Sequence, residues 1–152
     1  LPMSDGAKPF PVVKTPANES WARFSPDGKW IAYESDESGN MEVYVEAFPV
    51  VGPKTRLSTT GGHRPVWSAN GRTILYTTDD STLVAADLTS SGSELRAGVP
   101  RALFRYRVPL TGGLGNLGLD ATGPRFLIPT PVDNAAPAPI TVVVNWPSLL
   151  KP

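Results

Sequence analysis

The stretch Trp21-Ala22-Arg23-Phe24-Ser25-Pro26-Asp27-Gly28-Lys29-Trp30-Ile31-Ala32-Tyr33 returns later in the chain as Arg64-Pro65-Val66-Trp67-Ser68-Ala69-Asn70-Gly71-Arg72-Thr73-Ile74-Leu75-Tyr76. In each copy an aromatic residue precedes a serine, Asp or Asn precedes a glycine, a basic residue follows, and an apolar run ends in tyrosine. The pattern reads as strand, turn, strand. Asp-Gly and Asn-Gly tolerate the positive backbone angles that tight connections between right-twisted strands require, so Asp27, Gly28, Asn70 and Gly71 are the expected turn-forming residues. A third, weaker copy, Leu117-Gly118-Leu119-Asp120-Ala121-Thr122-Gly123-Pro124-Arg125-Phe126-Leu127-Ile128, puts Gly123 in the same role, with Asp120 where the serine stood.

From Gly28 to Gly71 is 43 residues and from Gly71 to Gly123 is 52, the second interval stretched by the loop around Gly112 to Gly115. A period of roughly 40–45 residues with several short strands per unit is the mark of propeller blades. Runs of β-branched and aromatic residues between turn residues predict strands over 21–24, 30–35, 42–48 and 55–58 in a first blade. A second blade takes 65–67, 73–78, 83–88 and 101–104, with 90–98 as a polar loop. A third takes 117–119, 125–129 and 140–146. No apolar period of three and four persists over a useful window, and prolines interrupt most candidate helices. The expected fold is all-β: a partial β-propeller of about three four-stranded antiparallel blades, divided as 1–14 (an outer strand, at 10–14, of a preceding or partner blade), 15–60, 61–105 and an incomplete 106–152. Closed propellers need about 4–8 blades, so three close only with further blades or with a second copy. The flanks needing cover would include Trp21, Ile31, Tyr33, Trp67, Leu75 and Tyr76. A head-to-tail contact that fails to close would give a filament.

Composition narrows the function classes. The 152 residues suit one domain, and 14 glycines with 17 prolines make about a fifth of the chain, against a usual one in eight. Fourteen basic and fourteen acidic residues cancel, leaving no overall field to attract nucleic acid or an anionic membrane. The chain has no cysteine, which excludes disulfides, thiolate metal sites and a catalytic thiol. No run of about 18 apolar residues offers a membrane span. An opening without Met, in sequence that reads like mid-strand, predicts a mature or excised piece of a longer product.

Phe24 to Tyr33 resembles the WD-repeat-like repeat of TolB-like propellers. The continuation from Glu34 through Asp36, Gly39 and Val45 to Pro49 narrows the likeness, as do Leu57-Ser58-Thr59-Thr60-Gly61-Gly62-His63-Arg64-Pro65-Val66-Trp67 and Pro139-Ile140-Thr141-Val142-Val143-Val144-Asn145-Trp146. Together they are similar to the C-terminal propeller half of bacterial receptor-type serine/threonine protein kinases, across nearly the whole chain. The resemblance implies a bacterial, extracytoplasmic (periplasmic or secreted) propeller that senses or binds something. It carries over no phosphotransfer, because the glycine-rich nucleotide loop, the strand lysine and the His-Arg-Asp loop of kinases have no counterpart here.

His63 is the only histidine, so any Ser-His-Asp triad must run through it, with Ser58, Ser68, Asp79 or Asp80 as companions. No Gly-x-Ser-x-Gly elbow exists. The plainer expectation puts His63 and Arg64 in the loop between blades, at the rim of a central channel, where they could contact a ligand. Oxygen ligands for a cation such as calcium could come from Asp36, Glu37, Asn40, Asp79 and Asp80, but none has the spacing of a calcium loop, and no metal or cofactor is expected. The segment Gly112-Gly113-Leu114-Gly115 lacks the Lys-Ser/Thr of a phosphate loop. Trp21, Trp30, Trp67 and Trp146 are expected to pack between blades rather than form a sugar-stacking platform, and the Ala/Pro-rich 135–139 reads as a linker or docking segment.

The expected function is a non-catalytic binding or scaffold module whose partners are other blades, identical subunits, or a peptide, glycan or small ligand. Two other readings stay open: a homo-oligomer or filament subunit assembled head to tail, and the propeller of a prolyl oligopeptidase-like enzyme whose catalytic domain lies elsewhere.

Overall fold

A computed structural model describes residues 8, 10–49, 52–91 and 94–105, together with the backbone of two short strands at Gly118–Leu119 and Phe126–Leu127. The described residues are all-β and contain no helix. Strands β1 (Glu19–Phe24), β2 (Trp30–Ser35), β3 (Glu42–Ala47) and β4 (Thr55–Arg56) form an antiparallel meander in that order. A second sheet holds β5 (His63–Trp67), β6 (Thr73–Thr77), β7 (Thr82–Ser91), β8 (Glu94–Ala97) and β9 (Arg101–Arg105), with β8 and β9 both paired to β7. Neither sheet closes into a barrel.

The repeat seen in the sequence is reproduced bond by bond. Gly28 N donates to Ser25 O and Gly71 N to Ser68 O, both at 2.9 Å. The Ser25 and Ser68 hydroxyls each accept the amide that opens the next strand, Trp30 N and Thr73 N, at 3.0 Å. Asp27 and Asn70 accept from the Ser25 and Ser68 hydroxyls and from Lys29 N and Arg72 N. These hydrogen bonds hold the Asp27 carboxyl below the usual carboxylate range, Ser25 contributing most. Only the glycines take the left-handed conformation, Gly28 at φ 70 and Gly71 at φ 68. Asp27 and Asn70 therefore serve through their side chains, and the expectation that both members of each dipeptide adopt positive angles is corrected: these are turns closed by a left-handed glycine.

Strand register repeats as well. Phe24 pairs Ile31, Trp67 pairs Ile74, and in β10 (Gly118–Leu119) and β11 (Phe126–Leu127) Leu119 pairs Phe126, the same separation of seven residues each time. The first two strands expected of the third repeat thus pair as the others do. Gly123, Gly112 to Gly115, Trp146, the strand at 140–146 and the segment 135–139 lie outside the described residues. Residues 10–14 form no strand. The loop expected at 90–98 is corrected too: β7 runs ten residues, overshoots β6, and pairs its polar end with β8 through Leu88↔Ala97 to Ser91↔Glu94.

The core lies between the sheets. Successive residues of a strand point to opposite faces, so Trp30 and Ala32 of β2, with Val43 and Val45 of β3, define one face of the first sheet. They meet Trp67, Ile74, Tyr76, Val84 and Ala86 of the second. In repeat terms Ile74 and Tyr76 correspond to Ile31 and Tyr33, which lie on the opposite face of the first sheet. The sheets therefore pack front to back, the front of one on the back of the next, rather than like face on like face. Of the six flank residues expected to need cover, Ile31, Tyr33, Trp67, Leu75 and Tyr76 are buried in the single chain, and only Trp21 is exposed.

Candidate functional site

The site grows out of an irregularity shared by both repeats. Pairing between β1 and β2 slips between Ser20 and Arg23, and between β5 and β6 it slips between His63 and Val66. Each slip is a bulge whose first residue is left-handed, Trp21 at φ 54 and Arg64 at φ 53. A bulge re-aims side chains away from the pleat. A large non-glycine residue in this conformation costs about 1–2 kcal/mol and recurs where function demands it. The equivalent bulges swing an indole and a guanidinium toward each other, and the Arg64 guanidinium carbon lies 5.0 Å from the centre of the Trp21 ring. Arg23 approaches the same ring at 6.0 Å.

Behind this pair sits Glu34, in β2, its side chain 7% exposed. Its Oε1 accepts from Ser20 Oγ at 2.7 Å and its Oε2 from Arg64 N at 2.8 Å. His63 Nδ1 is 3.7 Å from Glu34 Oε2, and Nε2 is 2.6 Å from Asp79 Oδ1. Burial pulls the Glu34 carboxyl upward, but the nearby His63 imidazole and the hydrogen bonds from Ser20 and Arg64 N outweigh it and hold the carboxyl below the usual range. The His63 imidazole is pushed above its ordinary value, first by Glu34 and then, against the opposing effect of burial, by Asp79. The buried carboxylate dominates although it is the more distant, because Asp79 is 73% exposed and screened by water. Gly61, at φ 89, leaves room for the Asp79 carboxylate: a Cβ there would lie 2.5 Å from Asp79 Oδ2.

His63 and Arg64 thus stand side by side at one end of the seam between the sheets. Of the triad companions the sequence offered, only Asp79 reaches His63. Ser58 Oγ donates to Glu42 and accepts from Val43 N, Ser68 is locked in its turn, and Asp80 accepts from Thr78 Oγ1 and Thr82 N. Both His63 nitrogens face carboxylates, so the ring is positioned as a bridge between the sheets. Of the remaining oxygen candidates, Asp36 accepts from the Asn18 amides and Glu37 pairs with Lys54. No three His, Asp or Glu side chains converge as a metal would need, among the described residues. Trp30 and Trp67 pack in the core between the sheets, whereas Trp21 is 37% exposed, with Arg64 of the second sheet over its ring.

Sequence reasoning missed Glu34, Arg23 and the role of Trp21. A glutamate directly after Trp-Ile-Ala-Tyr, in a strand buried on both faces, was the available signal for the first. At the other end of the seam the two turns flank a groove of about 640 Å³, floored by Trp30, Leu88 and Leu95 and edged by Asp27, Asn70 and Arg72. Comparison with protein-family models gives no match, and comparison with curated proteins gives none either.

Proposed function

We propose that the chain is a segment of a WD-repeat-like, TolB-like β-propeller, similar to the C-terminal propeller half of bacterial receptor-type serine/threonine kinases, and that it acts outside the cytoplasm as a non-catalytic binding or scaffold module. The observation that carries this reading is the front-to-back packing of two sheets with identical turns and bulges. One operation takes the first sheet to the second, as in radially repeated blades, whereas a two-layer sandwich buries the inner faces of its two sheets against each other. On this reading β1 and β5 are inner strands, and His63 and Arg64 stand at the channel rim. The carboxylates on both His63 nitrogens favour a positioning role over general-base catalysis.

Amide NMR spectra recorded against a panel of short peptides and glycans test the module. Expected are shifts confined to 19–24, 34 and 61–64, with no turnover of ester or peptide substrates. Hydrolysis abolished by His63→Ala, or shifts confined to the groove at the opposite end, would overturn the assignment. One observation favours a head-to-tail assembly as a second reading: Phe24 lies open at the position where its repeat counterpart, Trp67, is covered by the neighbouring sheet. A discrete dimer in sedimentation would support that assembly, and a lone 16.2 kDa species would remove it.

A further inference from the structure

We infer that Arg23, Arg64 and Trp21 form a receptor for a carboxylate, and that the ligand at this rim is an acidic peptide; the inference rests on the rim being the binding site and adds the chemistry of what binds there. Two guanidinium groups converge on a single indole, at 5.0 and 6.0 Å from its centre. Guanidinium packed against an aromatic ring leaves its N–H groups directed along the edge, free to fork two oxygens. Neither Arg23 nor Arg64 has a carboxylate within ion-pair distance among the described residues, whereas Lys54, Arg96 and Arg105 each do.

The two arginines are also fixed from behind. Arg64 N is held by the buried Glu34 carboxylate at 2.8 Å, and Arg23 O accepts from the buried Trp67 indole Nε1 at 3.0 Å. Both restraints act on the backbone, and among the described residues no carboxylate holds either guanidinium, so a ligand would meet a receptor that needs little ordering. The nearby negative charges are already engaged: Glu34 faces Ser20, His63 and the Arg64 amide, and Asp79 faces His63. A guanidinium over the Trp21 ring also competes with sugar stacking, which favours an anion over a neutral glycan.

The test follows the Trp21 indole resonance, assigned by its loss in Trp21→Phe, as 15N-Trp-labelled protein is titrated with hexaglutamate at low salt. A saturable shift is expected, at least tenfold weaker in the Arg23→Gln/Arg64→Gln double variant and also weakened by Arg23→Lys/Arg64→Lys, which keeps charge but loses the fork. An unchanged Trp30 resonance reports that each variant is folded. Hexalysine should give no shift, and inorganic phosphate a shift at least tenfold weaker than hexaglutamate. No saturable response to hexaglutamate, or undiminished binding by the double Gln variant, would overturn the inference. Phosphate binding as tight as hexaglutamate would overturn the choice of carboxylate. A shift of Trp21 by a neutral or cationic ligand alone would leave the rim as a binding site and sink the acidic-peptide assignment by itself.

Discussion

Phe24 and Trp67 hold the same repeat position, end the first strand of their sheets and pair with Ile31 and Ile74, yet Phe24 is 53% exposed and Trp67 only 8%. Their surroundings account for the difference. Trp67 lies against the front of the first sheet and donates its indole N–H to Arg23 O. Phe24 belongs to the back of the first sheet, where its ring meets Phe48 edge-on at 4.9 Å. The tyrosines two residues beyond those isoleucines are both buried, Tyr33 at 1% and Tyr76 at 3% exposure, and differ instead in their partners. Tyr76 donates to Leu57 O inside an apolar cluster, and burial with the nearby Glu42 pushes its hydroxyl up to about 12. Tyr33 instead donates to Glu46, with Lys54 above the rings of Tyr33 and Tyr44 and paired to Glu46 and Glu37. The repeat specifies the sheet, and the surroundings specify how its back is finished: apolar where the first sheet lies on it, and carrying the Glu37–Lys54–Glu46 ion pairs on the back of the first sheet.

The comparison breaks most easily at its largest contrast. Trp67→Ala should cost about 3–5 kcal/mol in a denaturant unfolding curve, because a buried indole is lost and a cavity left, whereas Phe24→Ala should cost less than about 1 kcal/mol. Equal costs would mean that the seam does not depend on the first sheet. A smaller and matched effect is expected at the turns. Gly28→Val and Gly71→Val should each cost about 1–2 kcal/mol and agree within about half a kcal/mol, since both residues are left-handed and a Cβ meets nothing within 4 Å at Gly28 and only Pro26 Cδ at 3.5 Å at Gly71. Clearly unequal penalties in thermal melts would show that the turns are not equivalent.

The smallest effect sharpens the contrast at the rim, where Glu34 of the first repeat is replaced by Thr77 in the second. Because the His63 value is raised on folding, its contribution is complete below the ordinary imidazole value of 6.5 and is lost as pH rises through the folded value. The lowered Glu34 value gives a contribution that is complete above the ordinary 4.5 and is lost as pH falls through the folded value. Stability should therefore be highest near pH 5–6 and decline by a few tenths to about 1 kcal/mol toward pH 8.5, a size typical of half-exposed pairs. His63→Gln should flatten that decline. A wild-type melting temperature that rises between pH 6 and 8.5 would exclude the bridge.

What was legible in the sequence was local. Serine, Asp or Asn, and glycine close their turns with bonds inside a few residues, so Ser25 to Gly28 and Ser68 to Gly71 announced both hairpins, and the apolar runs after them gave β2 and β6. The strand β8 was hidden because Glu94 to Ala97 gains its ladder only from the overhang of β7, a partner that polar composition does not reveal. The site was half legible. His63 and Arg64 stood out beside a glycine pair, whereas Trp21 resembled the packing aromatics until a register slip turned it outward. Glu34 acquires its meaning only from amide and imidazole groups that the second sheet brings to it.

The most direct test of the account is a pair of spin–spin distance measurements, simplified by the lack of native cysteines. Labels at Ala22→Cys and Val66→Cys report the separation of β1 and β5, and labels at Arg56→Cys and Arg101→Cys that of the strands on the far sides of the two sheets. Sheets arranged as radial wedges predict a narrow distribution for each pair, clearly longer for Arg56 and Arg101. Equal separations at the two ends would describe parallel layers and contradict the propeller reading.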